Sequence, residues 1–171
     1  MYIYYTKEGK FETEQVDDMP WKKLHREDGP AFINFKLGVK SWYFNGKHHR
    51  TNGPAIEWDD GSKAWFKNGR RHREDGPALI DGDGTKEWWV NGERHRSDGP
   101  AIIDPDGGKY YYNHGKSHRL DGPAIINASG YIYYFINNKE VNSKEVKAWI
   151  KENNINLKTK QHQALFMLKF G

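Results

Sequence analysis

The string His-Arg-x-(Asp/Asn)-Gly-Pro-Ala occurs five times in this chain of 171 residues, beginning at His25, His49, His72, His95 and His118. Successive copies start 24, 23, 23 and 23 residues apart. A fixed period of this length marks a stacked-repeat architecture, because so short a unit cannot bury an apolar face alone and must be covered by its neighbours. The five units occupy residues 25–140.

Each unit carries two strand signals and two turn signals. The first strand opens on Pro-Ala and continues through apolar residues, as in Ala101-Ile102-Ile103; proline at a strand's first position removes no central ladder donor. A turn follows at Asp60-Gly61, Asp83-Gly84, Asp106-Gly107 or Ser129-Gly130. Asp-Gly suits a tight hairpin because both residues tolerate positive φ. The second strand is aromatic: Lys40-Ser41-Trp42-Tyr43-Phe44, Lys63-Ala64-Trp65-Phe66, Lys86-Glu87-Trp88-Trp89-Val90 and Lys109-Tyr110-Tyr111-Tyr112. Asn45-Gly46, Asn68-Gly69 and Asn91-Gly92 close it, with His114-Gly115 and Asn137-Asn138 as weaker versions.

Two strands per unit predict a mainly β fold, an antiparallel meander of hairpin repeats growing as a solenoid. Ten strands at about 4.8 Å spacing make a single twisted sheet on the order of 50 Å long. Alternation puts Trp42, Trp65, Trp88, Tyr111 and Tyr134 on one face and Tyr43, Phe66, Trp89, Tyr112 and Phe135 on the other. Lys40, Lys63, Lys86 and Lys109 share the first face, where they are placed for cation–π contacts.

The segments Trp42-Tyr43-Phe44-Asn45-Gly46, Trp65-Phe66-Lys67-Asn68-Gly69 and Trp88-Trp89-Val90-Asn91-Gly92 resemble the MORN-repeat variant family, with its aromatic-aromatic-x-Asn-Gly signature. The fourth and fifth units depart from that signature at His114-Gly115 and Asn137-Asn138. The added His-Arg-x-Asp-Gly-Pro-Ala segment looks like a subfamily feature of phage and bacterial proteins. The resemblance implies a β-hairpin solenoid used for binding, with antitoxin-like relatives, and does not fix a partner.

The ends differ from the repeats. Residues 1–24 contain a strand-like Tyr2-Ile3-Tyr4-Tyr5 and a Gly9 turn, which fit a degenerate N-terminal strand cap. In residues 141–171, Asn142 with Glu145 resembles a capping box, and Val146, Trp149 and Ile150 fall on one helical face. Asn153-Asn154 ends that helix, and Thr159 is the expected N-cap for a second around Ala164–Leu168. A helical C-terminal cap covers the last edge of the stack; the alternative is that this cap binds the partner.

Composition narrows the function classes. Aromatic residues make up 15% of a chain whose mean hydropathy is −1.01, which argues against disorder. There is no cysteine, so a disulfide framework, a thiolate zinc site and a cysteine nucleophile are excluded. Residues 1–10 lack the apolar run of a signal peptide and no long apolar stretch occurs, so a cytoplasmic protein without a membrane span is expected. Of 27 Lys+Arg and 23 Asp+Glu, the repeats are near neutral, whereas residues 141–171 hold six lysines against two glutamates.

A row of His, Arg and Asp suggests general-base chemistry. Catalysis needs one constellation, however, and these residues recur in every unit. The local expectation is structural: Asp28, Asn52, Asp75, Asp98 and Asp121 cap turn N–H groups, the following glycine allows the chain to reverse, the motif arginines pair with those carboxylates or with carbonyls of the adjacent unit, and the histidines stack in a ladder. Neither a metal nor another cofactor is expected, since one histidine per unit gives no short-range ligand pair.

Recognition is therefore expected where units differ. The candidate partner-binding residues are Lys47, His48, Trp58, Arg70, Arg71, Trp89, Arg94 and Lys116, most of them beside the Asn-Gly edge. The reading is a non-enzymatic protein-binding module that sequesters or inhibits a partner with an acidic surface, as an antitoxin-like or phage counter-defence factor does. The alternative is a nucleic-acid-binding protein using the same basic edge and the lysine-rich cap. Homodimerisation is a further option for the aromatic faces.

Overall fold

The Asn-Gly pairs decide where the chain doubles back. Asn45, Asn68 and Asn91 hold φ of 50°, 53° and 52°, and the glycines after them hold 72°, 81° and 89°. Two consecutive left-handed residues make a type I′ turn, whose twist matches that of the flanking strands. His114-Gly115 and Asn137-Asn138 adopt the same conformation.

The Asp-Gly turns are of another kind. Only the glycine has positive φ, as at Gly61 and Gly84. Gly84 N donates to Asp81 O and Asp81 N to Thr85 O, both at 2.9 Å, which is a type I turn followed by a glycine bulge. Both residues tolerate positive φ, but only the glycine uses it. The aspartate instead accepts a backbone N–H two residues on, Ser62 to Asp60 and Thr85 to Asp83, each at 2.8 Å.

The protein is described by a computed structural model over residues 1–15, 17 and 19–171. It comprises two units, Met1–Gly92 and Glu93–Gly171. In the first, the strand order is Gly9–Thr13, Tyr2–Thr6, Phe32–Asn34, Val39–Ser41, Ile56–Trp58, Lys63–Ala64, Leu79–Ile80 and Lys86–Glu87. Each pair is antiparallel. The fold is thus the expected mainly β meander, started by an N-terminal hairpin.

The aromatic strand is not continuous, because the chain leaves the sheet at the first ring. Val39–Ser41 belongs to the meander, whereas Tyr43–Phe44 pairs with Lys47–His48 as a separate hairpin. Between them, Trp42 N donates to Ala55 O at 2.8 Å and Trp42 O accepts from His49 N at 3.1 Å. Trp65 repeats the pattern with Ala78 and His72. Such a unit holds four short strands rather than two.

This break builds the core. One face of the first meander aligns Phe32, Ser41, Ile56, Ala64, Leu79 and Glu87, most of them buried. Its other face alternates Ile33, Lys40, Glu57, Lys63, Ile80 and Lys86. Tyr43 from the hairpin packs in one cluster with Phe32, Leu24, Ala31 and Met19. The motif alanines Ala31, Ala55 and Ala78 are fully buried at the crossing between sheet and hairpin.

The second unit runs Ile102–Ile103, Lys109–Tyr110, Ile125–Ile126, Ile132–Ile136 and Lys139–Val141, again antiparallel. Here Ile132–Ile136 passes through without a break, because it pairs with both neighbours. Helix α1, Ser143–Glu152, starts at Asn142, whose side chain accepts from Lys144 and Glu145 N–H. Helix α2, Lys160–Phe170, starts at Thr159 as expected. Val146 and Phe166 are fully buried against Tyr134, Ile136, Val141 and Leu157. Among the described residues no helix is long and apolar enough to cross a membrane.

Candidate functional site

The five motif arginines are fixed from several sides. Arg26 Nε donates to Asp28 at 2.7 Å, Arg73 to Asp75 and Arg96 to Asp98 at 2.8 Å, and Arg119 to Asp121 at 2.5 Å. Their Nη1 atoms donate to the motif proline carbonyls, from 3.1 to 3.4 Å in all five units. The guanidinium also lies over a ring: Arg26 over Tyr5, Arg50 over Trp42, Arg73 over Trp65 and Arg119 over Tyr111, between 3.8 and 4.2 Å. Arginine, rather than the expected lysines, therefore supplies these cation–π contacts.

Two expectations for the motif change as a result. The aspartates bind the motif arginines, as expected of that pairing, and not the turn N–H groups, and the bond holds Asp28, Asp75 and Asp98 below the ordinary carboxylate value. Asp121, shared between Arg119 and Lys158, is lowered to about 2. The motif glycines are not needed for a reversal, since none of the five has positive φ. They make room: a Cβ at Gly29 would lie 2.8 Å from Arg26 Cζ, and one at Gly53 3.0 Å from Arg50 Cζ.

Each motif histidine is tied to the next turn. Nδ1 of His25, His49, His72, His95 and His118 accepts the N–H of Asn45, Asn68, Asn91, His114 and Asn137, between 3.1 and 3.3 Å. An accepting Nδ1 leaves the proton on Nε2 of a neutral ring. Burial lowers the pKa of His95, helped by His114 stacked at 4.1 Å, and burial alone lowers that of His118. Among the described residues, no three His, Asp or Glu come together as a metal site.

The predicted contact residues separate into two columns and an outlier. His48 packs at a tilt against Tyr43 at 4.0 Å and against Phe66 at 5.2 Å. Arg71 then lies over Phe66 at 5.5 Å and Trp89 at 4.9 Å, and Trp89 donates Nε1–H to Glu87 at 2.7 Å. Four predicted residues thus belong to a ladder of rings and cations, or repeat it in the second unit, where Arg94 lies over Tyr112 at 5.7 Å. Burial lowers the His48 pKa to about 4 and raises Tyr43 to about 12, while His48 Nε2 sits 2.9 Å from Tyr43 Oη.

Lys47 and Arg70 form the outer column of the first unit. They are exposed, and the side-chain stem of each lies against the next turn glycine, Gly69 and Gly92. Arg70 pairs across its hairpin with Lys67. Lys116 takes the equivalent exposed position in the second unit. Trp58, half buried, sits at the far end of its strand beside Asp59 and Asp60, with Val39 opposite.

Within each unit, grooves of about 600 Å³ separate neighbouring motif turns. One of 610 Å³ lies between the Arg26–Pro30 and His49–Asn52 turns over Trp42 and Phe44, and one of 620 Å³ between the His49–Gly53 and His72–Asp75 turns over Trp65, Phe66 and Lys67. The second unit has one of 600 Å³ over Tyr111 and Tyr112. The turn shared by the first two is the exception in the repeat. Thr51 and Asn52 stand where the first and third units have Glu27-Asp28 and Glu74-Asp75, and Arg50 reaches instead to Glu57 at 2.9 Å. Sequence reasoning missed this position by treating Asn52 as equivalent to the aspartates. The available signal was the loss of both carboxylates in one copy. No family model matches the chain, and no curated protein is significantly similar to it.

Proposed function

We propose that the protein is a non-enzymatic binding module that holds an acidic protein surface against the Asn-Gly hairpins of its first unit. The observation that carries this reading is the cross-strand pair Lys67–Arg70, with Lys47 on the preceding hairpin. Like charges directly opposite on a hairpin oppose folding, and no carboxylate bridges to any of the three among the described residues. Such a cluster is compensated when an anionic partner covers it. The bonding of the motif His, Arg and Asp to their own turns supports recognition rather than catalysis at that row. The resemblance to MORN-repeat variants supports the same class, and sequestration or inhibition of the partner, in an antitoxin-like manner in the cytoplasm, is the activity we assign.

Affinity capture from a bacterial lysate tests the reading, with the wild type beside a Lys47→Glu/Arg70→Glu variant and with nuclease-treated and untreated halves. The expected result is a protein retained by the wild type, lost with the variant and indifferent to nuclease. Recovery of nucleic acid, or release by nuclease, overturns it in favour of the nucleic-acid alternative.

A further inference from the structure

The second motif turn keeps the donors of its neighbours and lacks their acceptors. In the first unit Asp28 takes Arg26 Nε at 2.7 Å and Glu27 sits 3.7 Å from His25 Nε2. In the third, Asp75 takes Arg73 Nε at 2.8 Å and Glu74 sits 3.3 Å from His72 Nε2. Two consecutive carboxylates thus serve one histidine and one arginine, each time in the same order.

In the second unit the same scaffold is present. His49 Nδ1 accepts from Asn68 N–H at 3.1 Å, which leaves the proton on Nε2. Arg50 keeps its place over Trp42 at 3.9 Å and its bond to the Pro54 carbonyl at 3.1 Å. Glu57 takes Arg50 Nη1 from the strand side. Among the described residues nothing accepts from Arg50 Nε or His49 Nε2, because Thr51 and Asn52 bring no carboxylate. Grooves of 610 and 620 Å³ flank the turn and give access from both sides. Lys67 lines the second groove, which joins this turn to the basic hairpin above it.

We propose that the His49–Asn52 turn is an acceptor site for an acidic peptide segment, in which two adjacent carboxylate side chains of the partner take His49 Nε2–H and Arg50 Nε–H. The ligand supplies what Glu27-Asp28 and Glu74-Asp75 supply internally one repeat away. Carboxylates fit better than phosphates because each neighbouring copy of the site is already filled by a Glu-Asp pair. The site deepens the binding reading above by naming the chemistry that enters one of its grooves.

Two reciprocal variants test it without knowledge of the partner. The probe is an acetylated, amidated Gly-Glu-Asp-Gly peptide titrated at low salt, followed by amide and arginine Nε–H chemical shifts. The Gln-Asn peptide, inorganic phosphate and a short single-stranded oligonucleotide serve as the other arms. The wild type is expected to bind the Glu-Asp peptide at residues 49–53, about tenfold more tightly than the Gln-Asn peptide, from two charge-assisted hydrogen bonds at a partly exposed site. Thr51→Glu/Asn52→Asp, which restores the string of the first and third units and so retains the fold, is expected to lose about the same factor. Glu74→Thr/Asp75→Asn is expected to open an equivalent site at residues 72–76. Undiminished binding to the first variant overturns the proposal, as does tighter binding of phosphate or the oligonucleotide at the same residues. If the peptide binds but lysate capture fails, the site stands and the partner reading falls. If capture succeeds and is indifferent to the first variant, the site falls.

Discussion

His72 and Asn91 lie 19 residues apart in sequence and meet at 3.2 Å, the imidazole Nδ1 accepting the N–H of a residue held at φ of 52°. The bond ties the motif of one repeat to the type I′ turn of its hairpin, and it recurs in every copy. His72→Ala is expected to destabilise the protein by about 1 kcal/mol, since the orphaned N–H remains open to water. His25→Ala and His118→Ala should cost similar amounts in urea denaturation. A single histidine whose loss leaves stability intact but removes binding would contradict the shared structural role.

Glycines at two kinds of position should fail for two different reasons. Gly29→Ala places a methyl group 2.8 Å from Arg26 Cζ at ordinary φ, whereas Gly61→Ala meets no atom within 4 Å but must hold φ of 88°. Each is expected to cost about 1–2 kcal/mol. Adding Arg26→Ala should remove most of the first penalty, and an equivalent Arg50→Ala should leave the second untouched. A double-mutant cycle read by chemical denaturation separates the two causes.

Acid should weaken the first unit through His48. Its pKa in the folded protein is about 4 against an ordinary 6.5, because burial between Tyr43 and Phe66 disfavours the charged ring. The depressed value means that the unfolded chain binds the proton first. Stability is full above pH 6.5, falls as pH drops toward 4 and levels off below it, with a total loss on the order of 3 kcal/mol. His48→Phe keeps the stack and is expected to flatten that part of the pH–stability curve. An unchanged slope would assign it to other groups.

The C-terminal cap should behave as an ordinary core. Phe166 is fully buried between Tyr134, Trp149 and Phe170. Phe166→Ala is expected to cost about 3–5 kcal/mol, and Asn142→Ala, which removes the acceptor for two helix N–H groups, about 1 kcal/mol. Thermal unfolding followed by circular dichroism checks both. A small effect of Phe166→Ala would show that the helices are not packed on the last strands.

The period, the Asn-Gly turns and the helix caps are legible in this sequence because each rests on local rules. Asn-Gly at a fixed spacing leaves few turns open to the chain, and Asn142 and Thr159 sit where a helix start must place an acceptor. The break at Trp42 is not legible, since alternation assigns a face to each residue but says nothing of where a strand changes partner. The cation–π donors are hidden for a related reason: Lys40 lies two residues from Trp42 in sequence but on the other side of the strand break, whereas Arg50 reaches the ring from the next turn. Of the candidate contact residues, Lys47, Arg70 and Lys116 are exposed. His48, Arg71 and Arg94 look equally basic in sequence but lie among rings that only the fold brings together. Asn52 was hidden by its chemistry, because asparagine and aspartate are alike as turn acceptors and differ only in the charge that Arg50 needs.

The central claim is that the repeated His-Arg-Asp row maintains the stack, with each ring neutral and bonded at Nδ1. Long-range ¹H–¹⁵N correlation of the imidazole nitrogens at neutral pH reads this directly. The account predicts the Nε2–H tautomer for all five motif histidines, His25, His49, His72, His95 and His118, with Nδ1 shifts typical of a hydrogen-bonded acceptor. A motif ring that is protonated at Nδ1, or exchanging freely between tautomers, would contradict it.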